Sequence, residues 1–342
     1  MQKTPSQLGY RMPAEWEKHE ATWLAWPHNR DTWADIEKIE EAYAEIVKNI
    51  HAGEKVNLLV NGVSEEQAAK KRLVSANIDI KKVFFYRIRT VDAWIRDYGP
   101  TFILNKKENK LAMVKWNFNA WGNKHQELTK DDRIPFDINK KIGLPMFKPS
   151  IALEGGSIDV NGSGVCMTTE QCLLNKNRNP HLTKNELEDY LKKYLGVSCV
   201  IWLKGGIAGD DTDGHIDDIA RFVNDNTVLC SFADKGGINY DALAENFNIL
   251  KECKINSQKL NVIKLPLPEL NFNESLLPAS YDNFYIGNSA VLVPVFGESS
   301  DAEALNTIKK IFPDRKVVSI NCKELVYGFG AIHCITQQQP AV

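Results

Sequence analysis

Apolar positions along the chain fall into two alternating patterns. Short β-branched runs are interleaved with longer stretches in which apolar residues return every three to four positions. The first pattern predicts buried strands and the second amphipathic helices. Helix starts are expected at capping residues: Ser64 with Gln67, Thr129, Thr183 with Glu186, Asn239, and Ser300 with Glu303. Each leads into an apolar run, at 83–86, 150–153, 199–203, 260–265 and 316–320. An earlier helix over 33–50 precedes a strand at 56–60 and the Asn61-Gly62 turn, and 288–296 reads as one more buried strand.

The caps recur about every 60 residues, one helix per unit, which suggests a repeat architecture. A doubly wound α/β sheet would produce a similar alternation. Phase favours the repeat. Asp97, Glu154, His215 and Cys334 fall at similar distances after successive caps, so units arranged around an axis would bring them together.

Composition adds exclusions. Of 342 residues, 43% are hydrophobic and 25% charged, ordinary for a globular protein, and a net charge of −2 gives no basic footprint for nucleic acid. No boundary is signalled, so one domain over 1–342 is expected. The N-terminus lacks an apolar core, so no signal peptide is expected there, and no apolar run is long enough for a membrane span. Seven scattered cysteines without a CxxC pair suit a cytoplasmic protein and speak against a zinc site or disulfide scaffold.

Chemistry-bearing residues cluster in glycine-flanked segments. Cys334 follows Gly328-Phe329-Gly330-Ala331 closely, and small residues let substrate approach a nucleophile. As a nucleophile it must be a thiolate; as a buried thiol it would be inert. Its neighbour His333 would point to the opposite face of extended chain, so His333 is expected to be structural. His215 and Asp217, in Gly214-His215-Ile216-Asp217, would share a face if the chain there is extended. Five aspartates over 210–218 also fit a solvated loop or a calcium site, though Thr212 takes a ligand position and no glutamate closes the loop. Glu154 ends an apolar run before Gly155-Gly156 and would need a partner if buried, a histidine being the natural one. Asp97 follows Trp94, a candidate pocket wall, while Arg96 and Asp97 read equally as an exposed pair.

Trp94-Ile95-Arg96-Asp97-Tyr98-Gly99-Pro100, Phe118-Asn119-Ala120-Trp121-Gly122, Glu154-Gly155-Gly156, Thr212-Asp213-Gly214-His215-Ile216-Asp217-Asp218 and Ile332-His333-Cys334-Ile335-Thr336 together resemble the agmatine deiminases, from about Met12 to the C-terminus. The resemblance implies an α/β fold, a closed five-bladed propeller of ββαβ-type repeats, with no metal or organic cofactor and a homo-oligomeric state. It implies Cys334 as nucleophile, His215 as general acid/base, Glu154 as its carboxylate partner, and Asp97 and Asp217 as the clamp on the guanidinium. Asn123 and Phe329 stand where many relatives have glycine.

The expected reaction is deimination of agmatine through a covalent thiouronium, with Asp211 and Trp94 facing the distal ammonium. Three rivals stand beside it: a peptidylarginine or free-arginine deiminase, a metal-dependent hydrolase, and a non-catalytic acidic module binding calcium or polyamines.

Overall fold

The computed structural model describes residues 3–273 and 275–342. Five separate three- or four-stranded sheets account for most of its strands, and each repeats one plan. Two antiparallel strands are followed by a crossover helix and a third strand parallel to the second. Thr101–Asn105, Lys110–Val114 and Met146–Phe147 form one such unit around the helix Ile134–Ile142. Asp159–Val160, Val165–Thr169 and Cys199–Leu203 form the next around Lys184–Leu195. Ala220–Asn224, Thr227–Phe232 and Asn261–Pro266 follow around Tyr240–Glu252. Tyr285–Ile286, Ala290–Val295 and Lys316–Asn321 complete the series around Asp301–Ile311.

The remaining unit joins the two ends of the chain. Gln337–Pro340 pairs antiparallel with His19–Ala25, which pairs in parallel with Lys55–Val60 across the helix Ile36–Ile50. Its crossover is therefore the early helix, not the one at Ser64. The helix Val63–Ser75 instead leads to Val83–Arg87, a fourth strand added in parallel to the same sheet. The agreement of phase between Ser64 and Asp97 thus compared unlike units.

Local signals explain most elements. Lys184–Leu195 carries the full capping box between Thr183 and Glu186, ends at Gly196 with φ 67°, and buries Leu187, Leu191 and Leu195 on one face. Each buried leucine contributes about 2 kcal/mol, and the cap about 1 kcal/mol. Ser300 and Asn239 mark helix starts without a side-chain cap bond, and Thr129 lies inside the 3-10 segment Gln126–Arg133. The run 150–153 is not a strand: it makes one bridge, Asn117 to Ala152, and the parallel strand is Met146–Phe147. The central strands Thr227–Phe232 and Val165–Thr169 are almost wholly buried, because helix covers one face and core the other. Among the described residues no helix is long and apolar enough to cross a membrane.

Candidate active site

The site is built from the segments that precede the first strand of each unit. Asp97 comes just before the strand at Thr101, Glu154 before Asp159, Asp217 before Ala220, Asn283 before Tyr285, and Cys334 before Gln337. All five are buried, and so is His215. A common position in each unit brings residues far apart in sequence to one place.

His215 stands between carboxylates. Its Nδ1 lies 3.7 Å from Asp97 Oδ1, and its Nε2 lies 3.7 Å from Glu154 Oε2. Gly156 fixes how tightly these groups meet. A methyl placed there would come within 2.7 Å of His215 Nδ1, 2.8 Å of Asp97 Oδ1 and 3.0 Å of Asp217 Oδ2. The backbone N–H of Gly156 donates to Asp97 Oδ1 at 2.9 Å. His215 and Asp217 do converge, but not by strand alternation, because Ile216–Asp218 is a 3-10 turn.

Cys334 Sγ lies 3.9 Å from Asp217 Oδ2 and accepts from Asn283 Nδ2 at 3.2 Å. It sits on a turn, so the extended-chain argument for His333 does not apply. His333 is nonetheless a buried support: Nδ1 meets Asp217 Oδ2 at 2.7 Å and Nε2 meets Glu15 Oε2 at 2.9 Å. Arg96 is no exposed partner for Asp97. It is buried and donates to Gln338 Oε1 and the His333 carbonyl.

Electrostatics follow from this crowding. Burial pushes the Cys334 thiol well above its ordinary value, and Asp217, Asp218 and Asp97 push it further. Burial works against the charged form of His215, but Asp97, the neighbouring Cys172 and Glu154 outweigh it and raise the imidazole well above its usual range. Burial also opposes ionised Glu154, yet Arg178 beside it holds the carboxyl low. Arg178 Nε donates to Glu154 Oε1 at 2.8 Å, and both side chains are fully buried. The resting pair is a neutral thiol and an imidazolium.

Sequence reasoning missed several contributors. Trp121 Nε1 donates to Asp97 Oδ2 at 2.9 Å, so each oxygen of that carboxylate takes one protein hydrogen bond and keeps a lone pair. It does so from Ala120, Trp121, Gly122 and Asn123, four successive residues with positive φ of 53°, 53°, 85° and 63°. That conformation costs Ala120 and Trp121 about 1–2 kcal/mol each, while Asn123 tolerates it. Only the glycine hinted at it. Glu15 accepts from His333, Arg221 and the Ile286 N–H. Asn283 and Arg178 carried no motif signal beyond Asn283's place before a strand.

A cavity of about 480 Å³ opens beside Cys334, Asp97 and Trp94, with Asp211, Tyr327 and Phe329 towards its mouth. Asp211 is already engaged by His125 Nε2 at 2.6 Å and lies 3.5 Å from Lys124 Nζ. The other carboxylates of the acidic loop are also occupied. Asp210 caps Thr212 and Gly214, Asp213 pairs with Arg178, and Asp218 accepts from Asn283. A calcium cage does not fit that pattern.

Five converging segments bring a buried thiol, an imidazole and carboxylates together beside an open cavity, the make-up of an enzyme site for a cationic group. The chain belongs to the Porphyromonas-type peptidyl-arginine deiminase family, whose model it matches over residues 11–340. It is 38% identical to the agmatine deiminase of Medicago truncatula over 100% of this chain and 99% of the relative. The structure of the agmatine deiminase of Enterococcus faecalis superposes with a TM-score of 0.92 at 34% identity, covering 100% of this chain and 98% of the other. A cysteine-to-serine variant of the C. jejuni agmatine deiminase with substrate bound gives 0.87 at 34% identity, covering 96% of each chain.

Proposed function

We propose that the protein is an agmatine deiminase, hydrolysing agmatine to N-carbamoylputrescine and ammonia in polyamine metabolism. One observation carries the reading: Asp97, Asp217 and His215 meet around Gly156, and Cys334 Sγ lies 3.9 Å from Asp217 Oδ2 beside the cavity that Asp97 and Cys334 line. Asp97 and Asp217 hold its N–H groups in bidentate fashion and set its carbon over sulfur. The bound cation offsets the negative charge that keeps Cys334 protonated, so the thiol releases its proton to solvent through the cavity as substrate enters. The thiolate then adds to the guanidinium carbon. His215 protonates the departing nitrogen, ammonia leaves, and an S-alkylthiouronium remains. Neutral His215 next takes a proton from water, the hydroxide adds, and the C–S bond breaks as the adduct's O–H proton passes to sulfur, releasing the ureido product and restoring the thiol and the imidazolium. Glu154, kept anionic by Arg178, supports the protonated state of His215.

Trp94 is the wall of the alkyl channel in this reading. Asp211 faces the distal ammonium, an assignment removed if Asp211→Ala keeps wild-type selectivity for agmatine over arginine. The five repeated units, with the C-terminal strand completing the sheet that holds His19–Ala25, support a closed five-bladed propeller in a single domain. Seven free cysteines support a cytoplasmic location. The homo-oligomer implied by the family completes the proposal, and sedimentation equilibrium tests it.

The functional test is ammonia release from agmatine, free arginine and an arginyl peptide, with Cys334→Ser alongside. Turnover of agmatine alone, lost in the variant, is expected. Preferred turnover of arginine or peptide would overturn the substrate, and undiminished turnover by Cys334→Ser would overturn the nucleophile.

A further inference from the structure

Behind His215, away from Gly156, lies a group that the deimination chemistry leaves unused. Cys172, on the short helix Glu170–Leu173, is fully buried, with Sγ 4.0 Å from Glu154 Oε2. Glu154 Oε2 is in turn 3.7 Å from His215 Nε2, and the three ligand atoms all lie within 4.8 Å of one another. His215 Nε2 is buried and has no hydrogen-bond partner within bonding distance.

We propose that Glu154, Cys172 and His215 form a binding site for a thiophilic divalent cation of the Zn2+ type, and that its occupation switches the enzyme off. Carboxylate oxygen, thiolate and imidazole nitrogen are the donor set that zinc prefers. Its bond lengths of about 2.0–2.3 Å place tetrahedral ligands roughly 3.3–3.6 Å apart. The observed 3.7 and 4.0 Å separations need a contraction of a few tenths of an ångström, and the third, between Cys172 and His215, is at most 4.8 Å and closes by no more than about 1.5 Å. A water completes the tetrahedron. Arg178 occupies Glu154 Oε1 and leaves Oε2 free for the ion.

Charge balance is compatible with that geometry. Without metal, the buried group holds an imidazolium, a carboxylate, a guanidinium and a neutral thiol. Entry of one divalent cation releases two protons, one from the Cys172 S–H and one from His215 Nε2–H, so the net charge of the buried group is unchanged. The exchange therefore avoids the cost of placing an uncompensated charge in the interior. It also ties affinity to pH, because both ligands must lose protons to bind. With Nε2 bound to metal, His215 can no longer alternate between acid and base, and Glu154 no longer supports its protonation. The inhibition rests on the role given to His215 above; metal binding itself does not.

The test begins with Cys334→Ser, which removes the reactive thiol as a competing ligand. After incubation with Zn2+ and gel filtration, one equivalent is expected to remain with Cys334→Ser and none with Cys334→Ser/Cys172→Ala. Equal uptake by the two would overturn the site. Should the double variant fail to fold, Co2+ is added to Cys334→Ser alone, where an intense near-ultraviolet thiolate-to-cobalt band is expected; weak octahedral absorption without that band would overturn the site. In the second arm, Cys172→Ala in chelator-treated buffer keeps its agmatine turnover. It needs at least about 100-fold more Zn2+ for half-inhibition, since even outer-shell changes cost 10–100-fold. Inhibition of wild type should strengthen by up to about 100-fold per pH unit. Equal inhibition of wild type and Cys172→Ala would overturn the proposal. Stoichiometric uptake through Cys172 without inhibition would overturn the switch and the role of His215, and leave the site.

Discussion

Gly156→Ala is the sharpest probe of the proposed site, because it adds one methyl at the point where atoms of His215, Asp97 and Asp217 meet. Gly156 is not in the left-handed region, so alanine introduces no backbone strain. The cost is steric. Its Cβ would stand 2.7 Å from His215 Nδ1, and ordinary contact begins near 3.4 Å, so ring or backbone must give by about 0.7 Å. Displacement of a reacting group by 1 Å costs about 100-fold. The expected loss in kcat/KM is therefore tens- to about 100-fold, or about 2–3 kcal/mol. Overpacking should also lower stability by about 1–3 kcal/mol. For a chain of this length that corresponds to roughly 1.5–4 °C in Tm. Steady-state ammonia release from agmatine and thermal melts followed by circular dichroism read the two effects. Gly62→Ala is the control, since its Cβ meets nothing within 4 Å. If Gly156→Ala kept kcat/KM within about twofold of that control, the convergence of His215, Asp97 and Asp217 would not be what catalysis depends on.

Four further outcomes are expected. Trp121→Phe keeps the ring but removes the N–H on Asp97, so kcat/KM with agmatine should fall by about 10–100-fold, the worth of a hydrogen bond to a charged group; unchanged kinetics would remove Trp121 from the clamp. Arg178→Met leaves Glu154 buried without its cation and should cost about 3–5 kcal/mol in urea unfolding. Because the folded His215 is raised above its unfolded value of about 6.5, the stability it contributes is complete below that pH and is lost as pH rises through the folded value. The unfolding free-energy gap between wild type and His215→Gln should accordingly narrow from pH 6 to pH 9, and a gap that widened would reverse the assignment. Finally, iodoacetamide should inactivate substrate-free enzyme with an apparent pKa above the ordinary thiol value near 8.5, since burial and three carboxylates oppose the Cys334 thiolate; a midpoint below that value would contradict the neutral resting thiol.

Sequence alone determined the elements whose signals are local. The strand Cys199–Leu203 and the capped helix Lys184–Leu195 fall where β-branched runs and the Thr183–Glu186 box place them. Motif resemblance likewise supplied Asp97, Glu154, His215, Asp217 and Cys334. The tertiary structure decided what depends on contacts distant along the chain. It paired the last strand, Gln337–Pro340, with His19–Ala25, and so made Ile36–Ile50 the crossover helix of that unit. It replaced the extended chain expected at Asp217 by a 3-10 turn, since burial and the His333 bond set that backbone rather than any propensity of its own. Trp121, Asn283 and Arg178 entered the active site only through folding, and Cys172 reached the proposed cation site beside it in the same way. Their chemistry comes from what the other units bring within about 4 Å of them.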